Sequence, residues 1–86
     1  MRKLKKYNGG QVYSGDYKRC NFYVLATSIK HCVELINEAT NSNLSVSTIR
    51  EYWSQGAWGN AMIGIEETEP CVYYTEANDR NPKKLL

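Results

Sequence analysis

The hydrophobic period of this chain changes abruptly at Thr27. Before it, Cys20, Phe22, Val24 and Ala26 alternate with Arg19, Asn21, Tyr23 and Leu25, the period of two that marks a strand. After it, Ile29, Cys32, Val33 and Ile36 fall at i, i+3, i+4 and i+7, with Ala39 and Thr40 beyond. That is the stripe of an amphipathic helix. Thr27 and Ser28 between the two segments offer an N-cap. A strand feeding directly into a helix is the start of an α+β domain. Tyr23 and Leu25 make the strand's other face partly apolar, which suits a central strand or one covered by a partner.

The flanks extend this reading. A first strand of about residues 4 to 13 precedes the clear one. A glycine bulge at Gly9-Gly10 and a reversal at Ser14 to Asp16 would complete a hairpin. The helix carries Lys30, Glu34 and Glu38 on its other side, with Lys30 and Glu34 spaced as an i,i+4 pair. It should end at Asn41 to Asn43, whose side chains tolerate the left-handed conformation. Ser45 or Ser47 then caps a second, short helix with Ile49, Tyr52 and Trp53 at i, i+3 and i+4, and Gly56 is placed to stop it. Two further strands are expected in "AMIGIE" and "CVYYTE", joined by a solvated loop around Glu69-Pro70. The predicted fold is α+β: a small antiparallel sheet in the order β-β-α-α-β-β, with two helices packed on one face.

The 86 residues make a single domain, 1–86, with a basic N-terminus and a basic tail that frays from about residue 77. A domain this small has a thin core and open sheet edges, which a homo-oligomer would relieve. The net charge of +2 is too small to indicate a general nucleic-acid binder, so nucleic acid is not the expected partner. No stretch is long and apolar enough to span a membrane, and the charged start does not read as a secretory leader. Cys20, Cys32 and Cys71 are therefore read as free thiols in a cytoplasmic protein. With His31 they match the ligand count of a zinc site. However, there is no CxxC pair, and His31 and Cys32 are neighbours that point about 100° apart on a helix. No metal and no cofactor are expected.

Catalysis finds no constellation either. There is no GxSxG, no HExxH and no phosphate-loop spacing, and the one histidine lies inside the amphipathic helix. Binding fits better. The segment from Arg50 to Asn60 brings together Arg50, Tyr52, Trp53, Trp58 and Asn60, with Gly56 and Gly59 allowing a ligand close to the backbone. Tyr74 and Arg80 follow and could join from the same chain or a symmetry mate. Rings supply a stacking surface and arginines a place for phosphate. Within this set, the helical offsets point Tyr52 and Trp53 inward. Trp58 lies in a loop between glycines and reads as the contact residue.

The run "FYVLATSIKHCVELINEAT", then "STIREYW", a glycine-containing loop and a closing "VYY" resembles small phage-encoded proteins in which a hairpin feeds a helix at an "ATS" turn and a second short helix ends in "YW". That group includes the anti-Thoeris sponge proteins of phages. The resemblance spans about residues 17 to 75. It implies a non-enzymatic, oligomeric counter-defence protein in the host bacterial cytoplasm that sequesters a cyclic nucleotide-derived immune signal. Tyr52, Trp53 and Arg50 are the positions it matches. The closing "NDRNPKKLL" departs from it by offering little further pocket wall. Two other functions fit the residues: a protein-binding inhibitor of a host defence protein, and a small nucleic-acid-binding accessory domain.

Overall fold

The computed structural model describes residues 3–10, 20–56, 58–76 and 81–86. Its strands are β1 (Lys5–Gly10), β2 (Asn21–Ala26), β3 (Ser54–Gln55), β4 (Cys71–Thr75) and β5 (Lys83–Lys84). Its helices are α1 (Ile29–Thr40) and α2 (Val46–Tyr52). The five strands form one antiparallel sheet in the order β3-β1-β2-β4-β5, so the predicted α+β architecture is present with β2 at its centre.

The change of period at Thr27 takes the expected form. Ser28 caps α1, its Oγ accepting from the His31 N–H at 3.2 Å. Cys32, Val33 and Ile36 turn onto Phe22, Val24 and Ala26 of β2. Asn41 ends the helix in the left-handed conformation at φ 53°. The link to α2 is clamped by one side chain. Asn37 Nδ2 donates to the Leu44 carbonyl at 3.0 Å, and Asn37 Oδ1 accepts from the Leu44 N–H at 2.8 Å. Ser45, one of the two expected caps, starts α2.

Both faces of the sheet are covered. The face under α1 and α2 packs Tyr7, Phe22, Val24 and Val72 against Cys32, Ile36 and Ile49. On the opposite face, Tyr23, Leu25 and Cys71 pack against Trp58 and Met62. The chain therefore covers the far side of its own central strand with the segment that follows β3. The predicted strand in "AMIGIE" is absent. Asn60–Met62 form one 3-10 turn, and the backbone reverses at Gly59 (φ 82°) and Gly64 (φ 87°). Alternation of apolar residues misled here, because Met62 is buried while Ile63 is 77% exposed.

Other expectations are corrected at the edges. Pairing between β1 and β2 runs without interruption from Lys5↔Ala26 to Gly10↔Asn21, so Gly9-Gly10 is no bulge. The expected reversal at Ser14 to Asp16 lies outside the described residues. The end of the tail is docked: Lys83 and Lys84 pair with Tyr74 and Tyr73, and Leu85 bonds back to Val72. Lys83–Glu76 and Lys84–Glu67 ion pairs brace it at 3.7 and 3.5 Å. Lys30 and Glu34, in contrast, form no ion pair with each other. No described helix is long and apolar enough to cross a membrane.

Candidate ligand-binding groove

A groove of about 350 Å³ opens on the helix-covered face, near the β3 edge. Its floor is Lys5 and Tyr7 of β1. Gln55 pairs with Tyr7 and so faces the same side. Ser28 and Ile29 form one wall, and Ile49 and Arg50 of α2 form another. Trp53 closes it just beyond the end of α2. Among the described residues, two cations and no carboxylate line this groove, a composition that favours an anion.

Trp53 is held by the sheet beneath it. Its indole stacks on Phe22, the ring centroids 6.4 Å apart and the planes 10° from parallel. Gly9 lies directly under the same ring, and a Cβ there would fall inside the van der Waals envelope of the indole. A glycine at this point of β1 is thus a packing requirement. The aromatic row continues across the sheet. Phe22 faces Tyr74 at 6.4 Å, and Lys83 Nζ stands 5.9 Å from the Tyr74 ring.

The groove brings together two of the predicted residues, Arg50 and Trp53. Tyr74 shares their side of the sheet through Phe22, and Arg80 lies outside the described residues. The expected roles of the other aromatics are reversed. Tyr52 was placed inward, yet it is 72% exposed. A seven-residue helix has one narrow buried stripe, and Ile49 is its buried residue. Trp58 was placed on a contact loop, yet it is 5% exposed, the anchor of the segment covering the far face. Its Nε1–H donates to the Val24 carbonyl at 3.3 Å, Lys6 Nζ lies 5.1 Å from its ring, and Tyr73 packs beside it at 6.4 Å. Asn60 is exposed at the start of the 3-10 turn in that covering segment. Lys5, Tyr7, Ser28, Ile29, Ile49 and Gln55 are the lining residues that sequence reasoning missed. Lys5 and Tyr7 share one parity on the first strand, which is a signal that was there to be used.

All three cysteines are buried thiols outside any disulfide. Burial pushes the Cys32 thiol up to about 12 and raises Cys20 and Cys71 as well. Among the described residues, no three of His, Cys, Asp and Glu come close enough to hold a metal ion. No family model, curated protein or solved structure matches this chain.

Proposed function

We propose that this protein captures a small anionic ligand of the nucleotide class and releases it unchanged. One observation carries the reading: Trp53, Lys5 and Arg50 line a single groove with no carboxylate among its described lining residues. A base can stack on a fixed indole, an interaction worth about 1–3 kcal/mol. Phosphate oxygens can be held between a lysine and an arginine by charge-assisted hydrogen bonds. Capture alone needs slow release rather than chemistry.

The resemblance of residues 17 to 75 to phage counter-defence proteins supplies the wider proposal. In it, the ligand is a cyclic nucleotide-derived immune signal, and the protein is an oligomeric sponge in the host bacterial cytoplasm. Calorimetry against cyclic di- and trinucleotides and cyclic ADP-ribose isomers tests the capture. Chromatography of ligand recovered after heat denaturation tests that it is unaltered, and light scattering tests the oligomer. Absence of any heat signal across the panel would sink the proposal.

The 72% exposure of the Tyr52 ring on α2 favours a second reading, in which this helix docks on a host defence protein. In that case Tyr52→Ala abolishes stoichiometric capture of one host protein while the panel stays silent.

A further inference from the structure

The segment from Trp58 to Ile65 covers the far face of the sheet without joining it. Its backbone hydrogen bonds close on the segment itself. Met62 N–H donates to the Gly59 carbonyl at 3.3 Å, Ile63 N–H to Asn60 at 3.2 Å, and Ile65 N–H to Met62 at 3.1 Å. Among the described residues, none of its backbone groups bonds to a strand. Side chains make the attachment. Trp58 and Met62 are buried with Tyr23, Leu25 and Cys71. The Trp58 indole N–H donates to the Val24 carbonyl, and Lys6 and Tyr73 flank the ring.

The chain is tied down on either side of this segment. Ahead of it, Gly56 N–H donates to the Lys6 carbonyl at 2.9 Å. Behind it, Glu67 accepts from the Tyr73 hydroxyl and meets Lys84 at 3.5 Å. Between these points the backbone turns at Gly59 and Gly64, with φ of 82° and 87°. An added Cβ at either glycine would meet open space, so both serve the turn rather than the packing. The strands beneath hold their own ladder. Leu25 pairs with Lys6 on one side and Cys71 on the other, and Tyr23 with Asn8 and Tyr73. A loop with anchored ends, glycine pivots and no backbone bond to what it covers can lift while the sheet stays paired.

We infer that Trp58–Ile65 is a hinged strap that opens as one piece, short of global unfolding, and bares Tyr23, Leu25 and Cys71. Closed, it dries the far face with Trp58 and Met62 and turns Asn60 and Ile63 to solvent. Open, it presents an apolar strip of the two central strands. The helix-covered face is untouched by the motion, since no described lining residue of the Trp53 groove belongs to the strap. The far face is thus a surface whose exposure is switched by the chain's own cover.

Two buried thiols provide the probe and its control: Cys71 lies under the strap and Cys32 under the helix. Iodoacetamide labelling of the intact protein, read by peptide mass spectrometry and normalised to the urea-unfolded chain, measures the opening of each site. Below the unfolding transition Cys71 should label at least about tenfold faster than Cys32. Its rate should stay nearly flat with urea, because a strap exposes little surface, while the Cys32 rate climbs with the slope of global unfolding. The Val72 amide, bonded to the Leu86 carbonyl at 3.2 Å, should keep global protection in hydrogen exchange. Gly64→Ala forces a side chain into a positive φ and should speed Cys71 labelling about fivefold or more without steepening its urea dependence. Equal protection and equal urea slope at the two thiols overturn the strap, as does Cys71 labelling as fast as in the unfolded chain. Loss of Val72 protection alongside Cys71 would show that the strand peels instead, and a Gly64→Ala rate equal to wild type would remove the hinge.

Discussion

Trp53 and Trp58 sit five residues apart in sequence and on opposite faces of one sheet. Trp53 belongs to the helix-covered face, half-buried over Gly9 and Phe22 and open to a groove with two cations. Trp58 belongs to the far face, buried, with its indole N–H spent on the Val24 carbonyl. The difference teaches that a sheet with two apolar faces assigns burial by what each face lacks. The helix face already has Ile36, Cys32 and Ile49, so its tryptophan can stay at the rim. Among the described residues the far face has no α-helix, and a loop tryptophan is the largest side chain that dries it.

The comparison breaks first at Trp58. Trp58→Ala removes the largest side chain of the far face and should cost about 3–5 kcal/mol. In a domain whose total stability is about 5–15 kcal/mol, that brings the protein close to unfolding. Urea denaturation monitored by circular dichroism measures it. A loss under about 1 kcal/mol would place Trp58 in the class of surface substitutions and dissolve the contrast between the two residues.

Gly9→Ala attacks the other tryptophan from beneath. The added methyl group occupies space held by the indole, so Trp53 must leave Phe22. Overpacking of this kind costs about 1–3 kcal/mol. Ligand capture should fall with it, because the stacking surface has moved. Fluorescence of the Trp58→Phe background reports Trp53 alone and should shift on Gly9→Ala. An unchanged spectrum would mean that the sheet, rather than the ring, has given way.

This asymmetry also explains how much of the molecule could be read in advance. The strand from Cys20, helix α1 with its Ser28 and Asn41 caps, and the α+β class were legible because local period and capping chemistry agree there. The far face was not legible. Its cover is an irregular segment, and burial of Trp58 and Met62 without Ile63 follows no period of two or 3.6. The groove was half legible. Arg50 and Trp53 stand three residues apart, whereas Lys5 and Gln55 join them only through the β1–β3 register, which is a long-range pairing.

Trp53→Ala should cost less stability than Trp58→Ala and more function. The ring is only partly buried, and beyond its area it adds an aromatic pair with Phe22 worth about 0.5–1.5 kcal/mol. Loss of stacking should weaken ligand binding by about tenfold or more. Measured side by side, the two alanine variants should therefore rank in opposite order for unfolding midpoint and for affinity. The same rank in both measurements would show that the faces do not divide the work in this way.

The smallest expected effect is a pH dependence at the border of the far face. The Tyr73 hydroxyl donates to the Glu67 carboxylate, which Lys84 also meets at 3.5 Å. The Glu67 hydrogen bond, with burial adding to it, pushes the Tyr73 phenol from its ordinary 10.0 up to about 12. The bond from Tyr73 holds Glu67 below its ordinary 4.5, Lys84 helping and burial opposing. The signs are opposite at the two ends. A raised phenol stabilises the fold fully below pH 10 and loses that contribution as pH climbs from 10 toward about 12. A depressed carboxylate contributes above 4.5 and loses its share as pH falls through its lowered value. Tyr73→Phe should flatten both limbs of a plot of unfolding midpoint against pH. It cannot flatten the alkaline limb entirely, because Cys32 on the helix face is also raised to about 12 by burial and favours unfolding once the freed thiol ionises. The acid limb keeps the share that Lys84 contributes to lowering Glu67, so Tyr73→Phe should shrink it without abolishing it, and the drop measures the Tyr73–Glu67 bond. An acid limb that is unchanged by Tyr73→Phe would mean that the bond does not persist in solution.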